Sequence, residues 1–236
     1  MRLKLMIALA ALIALVAAPV SAGPFRAAED DMRDAYAIYR AALFRTNQND
    51  AAASRETIAA FRAKWEALSA AWVRQAPPQY SDDPALGTTL TEVAATAEEA
   101  AKLVDAGRIP ASHEMLERIR DQIAALRMRN GVYSFSDPVN LYHEQLEKIV
   151  TGTYDGLNAA GLAALREDIA VLEHLATELA KPGPWNRPAA VDAALPPIRA
   201  SIAAIRAAMA GSDRDALRNA IKALKPPFAR MFLQFG

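Results

Sequence analysis

The chain has 236 residues, with 27 basic and 27 acidic side chains and no cysteine. A net charge of zero removes the electrostatic footprint of a nucleic-acid binder. The lack of cysteine excludes disulfides, thiolate metal ligands and covalent c-type haem.

The first residues read as a cleavable signal peptide over 1–22. Arg2 and Lys4 supply positive charge, Leu5 to Ala18 form an apolar run, and Val20-Ser21-Ala22 offers small residues for cleavage after Ala22. The run is shorter than the roughly 20 residues that span a bilayer, so no stable membrane span is expected after processing. The expected address is periplasmic or secreted, with Gly23 leading the mature chain.

After Gly23, apolar residues recur at three- and four-residue spacings and alanine is abundant, which predicts an all-α fold. A first helix is expected from Ala27 to Arg45 and a second from Ala51 to Gln75, carrying Ile58, Phe61, Trp65, Leu68 and Trp72 on one face before Pro77-Pro78. A third runs from Leu90 to Asp105. Ser112 is the expected N-cap of a fourth ending at Arg129, with Glu114 in its first turn. Asp137-Pro138 opens a short fifth helix to Thr151, and a sixth follows from Ala159 to Ala180.

The proline-dense stretch Lys181 to Pro188 is a linker. Two last helices are expected, Ala189 to Ala210 and Asp213 to Phe235, the second bent by Pro226-Pro227. A weak echo links Tyr39-Arg40-Ala41-Ala42-Leu43 to Ile205-Arg206-Ala207-Ala208-Met209. The expected architecture is an antiparallel helical bundle of about seven to eight helices, either two stacked four-helix bundles (23–130 and 131–236) or one continuous domain.

The chemistry concentrates in a doubled pentad, His113-Glu114-Met115-Leu116-Glu117 and His143-Glu144-Gln145-Leu146-Glu147. Imidazole and carboxylate four residues apart project from one helix face and can clamp a transition metal such as Cu, Zn or Fe. One pair supplies too few ligands. The candidate metal set is therefore His113, Glu117, His143 and Glu147, with Glu114 and Glu144 as further carboxylates.

Helical phase sorts the pairs. His113 sits at the edge of the stripe Leu116, Ile119, Ile123, Leu126, and His143 at the matching edge of Val139, Tyr142, Leu146, Ile149. The third histidine, His174, lies opposite the stripe of its own helix and is expected in solvent with Glu178. A simple hairpin would separate His113 from His143 by about 16 Å along the axis, so convergence requires Asn130 to Asn140 to run back along the bundle, or a homodimer. The arginines at 118, 120, 127 and 129 are expected to pair with neighbouring carboxylates.

In outline the chain resembles exported bacterial helical bundles such as cytochrome c prime and the small haem-b cytochromes. It departs from them in having no Cys-x-x-Cys-His and no histidine in the last helix. The His-x-x-x-Glu pairs are similar to those of imelysin-type iron-uptake proteins, whose glycine-flanked pattern is His-x-x-Glu. Neither resemblance assigns a residue here.

No phosphate loop, Gly-x-Ser-x-Gly elbow or His-Glu-x-x-His occurs, so no enzyme is expected. The expected function is metal binding or handling in the periplasm. The alternatives are a non-catalytic module docking an envelope protein, and a bundle holding a small apolar ligand or non-covalent haem.

Overall fold

The computed structural model describes residues 23–183 and 187–236; the signal segment read over residues 1–22 lies outside them. The described residues form nine α-helices and no strand: α1 Pro24–Asn47, α2 Ala51–Arg74, α3 Leu86–Asp105, α4 Ile109–Arg129, α5 Ser136–Thr151, α6 Ala159–Glu178, α7 Val191–Ala210, α8 Arg214–Lys222 and α9 Lys225–Phe235. The fold is all-α. None of the described helices is long and apolar enough to cross a membrane.

Local chemistry places the helix starts. Asp50, Asn158 and Asp213 cap α2, α6 and α8 by accepting from backbone N–H groups of the first turn. Two expectations are corrected. Helix α4 begins at Ile109, because Pro110 is compatible with a first turn, where its missing N–H has no intrahelical role. Ser112 consequently lies inside α4, where its hydroxyl donates to the Ala100 carbonyl of α3 at 2.8 Å, and Glu114 falls in the second turn. The expected bent C-terminal helix is two helices, since Pro226 and Pro227 can start a helix but cannot donate within one.

The periodic stripes form the interior. Met32, Tyr36, Tyr39, Ile58, Phe61, Trp65, Leu90, Val93, Leu116 and Ile123 belong to one buried cluster built from α1 to α4. A second cluster, from α5 to α9, holds Tyr142, Leu146, Ile169, Leu172, Ile198, Ile205 and Phe228. Burying each such side chain contributes roughly 1.5–3 kcal/mol. Within the first cluster Tyr36, Tyr39, Phe61 and Trp65 pack in sequence as tilted ring pairs at centroid separations of 5.1 to 5.8 Å.

Polar contacts stitch the two clusters. Arg40 of α1 donates to the carbonyls of Leu233, Gln234 and Gly236 beyond and within α9. Asn140 of α5 donates to the Tyr36 hydroxyl at 3.4 Å. Helix α9 thus packs against both α1 and α5 and forms one wall of the site described next.

Candidate functional site

Helix α4 presents His113, Glu117 and Arg120 at relative positions 0, 4 and 7, a single stripe of a 3.6-residue helix. Helix α5 presents His143 and Glu147 in the same way. Between them, Leu43, Phe44 and Asn47 of α1 and Lys225, Phe228 and Phe232 of α9 complete a pocket of about 400 Å³. Both pentads therefore line one pocket. Glu114 stands at its exposed rim, whereas Glu144 is exposed and takes no part in the lining.

The two pentads meet through an arginine. Arg120 Nη1 lies 2.8 Å from Glu117 Oε2 and 2.6 Å from His143 Nδ1, while its Nε donates to Asp121 at 3.3 Å. His143 is the eighth residue of α5, further from the turn than a helix starting at Pro138 would put it. It meets α4 at Arg120, seven residues and so about 10 Å along the axis from His113. Burial works against the Arg120 charge, but Glu117 and Asp121 outweigh it and hold the guanidinium above its ordinary pKa.

The hydrogen bond from Arg120 fixes the tautomer of one imidazole. Arginine can only donate, so His143 Nδ1 accepts and the ring proton sits on Nε2, 3.6 Å from Glu147 Oε1. The ring is stacked on Phe228, with centroids 5.2 Å apart and planes 4° from parallel. At His113, Thr46 Oγ1 lies 2.9 Å from Nδ1 and 3.0 Å from the carbonyls of Ala42 and Leu43, so its one proton serves either a carbonyl or the imidazole. The two choices put the His113 proton on Nδ1 or on Nε2, which is 3.6 Å from Glu117 Oε1.

Burial lowers the His113 pKa below 6.5, and the nearby His143 adds to this against the opposing pull of Glu117. Glu147 is pushed down to about 2, chiefly by its hydrogen bond with His143 and then by Lys225, whose Nζ is 3.1 Å away.

A metal shared by the pentads would have to displace the Nε2 proton of His143 or its hydrogen bond from Arg120. Among the described residues no group of three or more His, Cys, Asp or Glu side chains is arranged to hold a metal ion. His174 stands apart, 69% exposed, with its partner Glu178 already bound by Lys181 at 2.6 Å, as helical phase predicted. Sequence reasoning missed Thr46, Lys225 and the bridging role of Arg120. Only the position of Arg120 seven residues after His113 could have signalled any of them.

Comparison with family models, with curated proteins and with solved structures returns no match.

Proposed function

We propose that the chain is an exported, non-catalytic binding protein whose pocket between α1, α4, α5 and α9 takes a small organic cation. One observation carries this reading: His113 Nε2 and Glu117 Oε1 lie 3.6 Å apart in the pocket lining. In the proposed binding form Thr46 accepts from His113 Nδ1–H, which leaves both atoms as acceptors for a ligand ammonium, while Arg120 holds the other Glu117 oxygen.

The rest of the lining agrees. Among the described lining residues three carboxylates, Glu114, Glu117 and Glu147, stand with one lysine, Lys225, which pairs with Glu147, and the rings of Phe44 and Phe232 offer π-faces that attract an ammonium or pack its apolar body. Calorimetry with 2-phenylethylammonium tests the proposal. Binding weakened at least tenfold by Glu117→Gln, about 1.4 kcal/mol, is expected; no binding, or equal binding by the variant, contradicts it.

Metal binding is the second reading. It is favoured by the hydrogen bond between Thr46 and His113 Nδ1, a place where an outer partner orients metal-ligating imidazoles. In this form the clamp is His113 with Glu117, completed by Glu114 or solvent rather than by His143. Stoichiometric Zn, Cu or Fe in protein purified without a histidine tag would favour it over the organic cation.

A further inference from the structure

The lining of the histidine pocket divides by hydrogen-bonding character. On the α4 side, in the cation-binding form, stand two acceptors, His113 Nε2 and Glu117 Oε1, with Glu114 at the rim. Thr46 ties the end of α1 to His113, and Asn47, the last residue of α1, lines the pocket, so the carbonyl end of that helix lies on this side as well.

On the side of α5 and α9 stand donors. His143 carries its proton on Nε2, and Lys225, the first residue of α9, brings an ammonium to the positive end of that helix. Glu147 takes only part of this donor capacity. Its Oε1 lies 3.1 Å from Lys225 Nζ and 3.6 Å from His143 Nε2. An ammonium has three N–H donors, and Lys225 has no other acceptor in reach among the described residues, so two remain for a ligand. The Lys225 side chain is 48% exposed and lines the pocket, which leaves those donors open to what enters.

The two sides are close enough to feel each other, since the Glu147 charge raises the pKa of His113 against the effect of burial. A monoamine would use the acceptor side alone. A second ammonium would meet Lys225 as a like charge, whereas a carboxylate would accept from it. Phe44 and Phe232 are left to pack an apolar side chain.

We propose that the ligand is a zwitterion, an α-amino acid with an apolar or aromatic side chain, its ammonium held by His113 and Glu117 and its carboxylate by Lys225. This ligand class rests on the cation reading of the same pocket and adds the carboxylate to it.

Calorimetry of the mature chain with 2-phenylethylammonium, L-phenylalanine and L-phenylalaninamide tests the assignment, because the three share an aromatic body and an ammonium and only phenylalanine carries a carboxylate. Phenylalanine is expected to bind at least tenfold more tightly than either cation. Lys225→Met is expected to reverse the order, weakening phenylalanine at least tenfold and tightening 2-phenylethylammonium by removing a like charge. Phenylalanine bound no more tightly than its amide, or a variant that shifts both ligands in the same direction, overturns the proposal and leaves the cation reading standing. Failure of all three to bind overturns both.

Discussion

Arg120 and His143, 23 residues apart in the chain, are joined by a 2.6 Å hydrogen bond in which the guanidinium donates to Nδ1. The same nitrogen holds Glu117 at 2.8 Å. A fixed cation therefore occupies the ground between two pentads that look equivalent in sequence, and this makes them unequal: Arg120 fixes the His143 proton on Nε2, whereas the His113 ring meets the Thr46 hydroxyl.

Removing that cation has two consequences. Arg120→Met leaves Glu117 without its partner in a part-buried setting, which costs about 3 kcal/mol on the scale of broken buried pairs. It also frees His143 Nδ1. The variant is expected to unfold at lower urea concentration yet bind Zn²⁺ more tightly than the parent chain, as chemical denaturation and zinc titration would show. Weaker zinc binding in the variant would mean that Arg120 does not block a metal.

Acid should act on the pocket in two stages. The folded-state pKa of His113 lies below 6.5, so as pH falls through 6.5 the unfolded chain takes up a proton that the folded chain resists, and stability declines. The decline levels off once pH passes below the folded pKa. Glu147, pushed down to about 2, contributes stability that is present above the ordinary 4.5 and lost as pH falls from there towards 2. Urea midpoints measured from pH 8 to pH 5 should fall, and His113→Gln should flatten that segment alone.

Gly161 tests the packing of α6 on the turn before it. A Cβ at this position would collide with the backbone carbonyl of Tyr154, which has no side-chain freedom to yield. Gly161→Ala is expected to destabilise the fold by roughly 1–3 kcal/mol. Gly87, near the start of α3, has nothing within 4 Å of a built Cβ, and Gly87→Ala should be neutral or stabilising by up to about 1 kcal/mol. Equal effects in thermal melts would contradict the placement of Tyr154.

Sequence reading succeeded where the signal was local and periodic. Val139, Tyr142, Leu146 and Ile149, chosen by spacing, are all fully buried, as are Leu116, Ile119, Ile123 and Leu126. It failed where one residue had two roles. Ser112 looks like a cap, but its hydroxyl bridges α3 and α4, and the helix starts earlier at a proline-compatible turn.

The site divides along the same line. Each His-x-x-x-Glu pair is an i,i+4 relation and can be read from the chain. Thr46 reaches His113 across 67 positions, and Lys225 reaches Glu147 from a helix that follows a proline break. Such partners are set by tertiary packing, which spacing along the chain does not encode. Arg127 belongs with them, because only the three-dimensional arrangement brings it to the Tyr36 ring and, across the α4–α5 connection, to Ser136.

The most direct measurement is a long-range proton–nitrogen correlation spectrum of the imidazoles, recorded at neutral pH before and after addition of 2-phenylethylammonium. The proposed cation site requires His113 with its proton on Nδ1 and His143 with its proton on Nε2, and a shift of His113 Nε2 when the cation binds. The same tautomer in both rings, or a His113 Nε2 resonance unmoved by the cation, would contradict it.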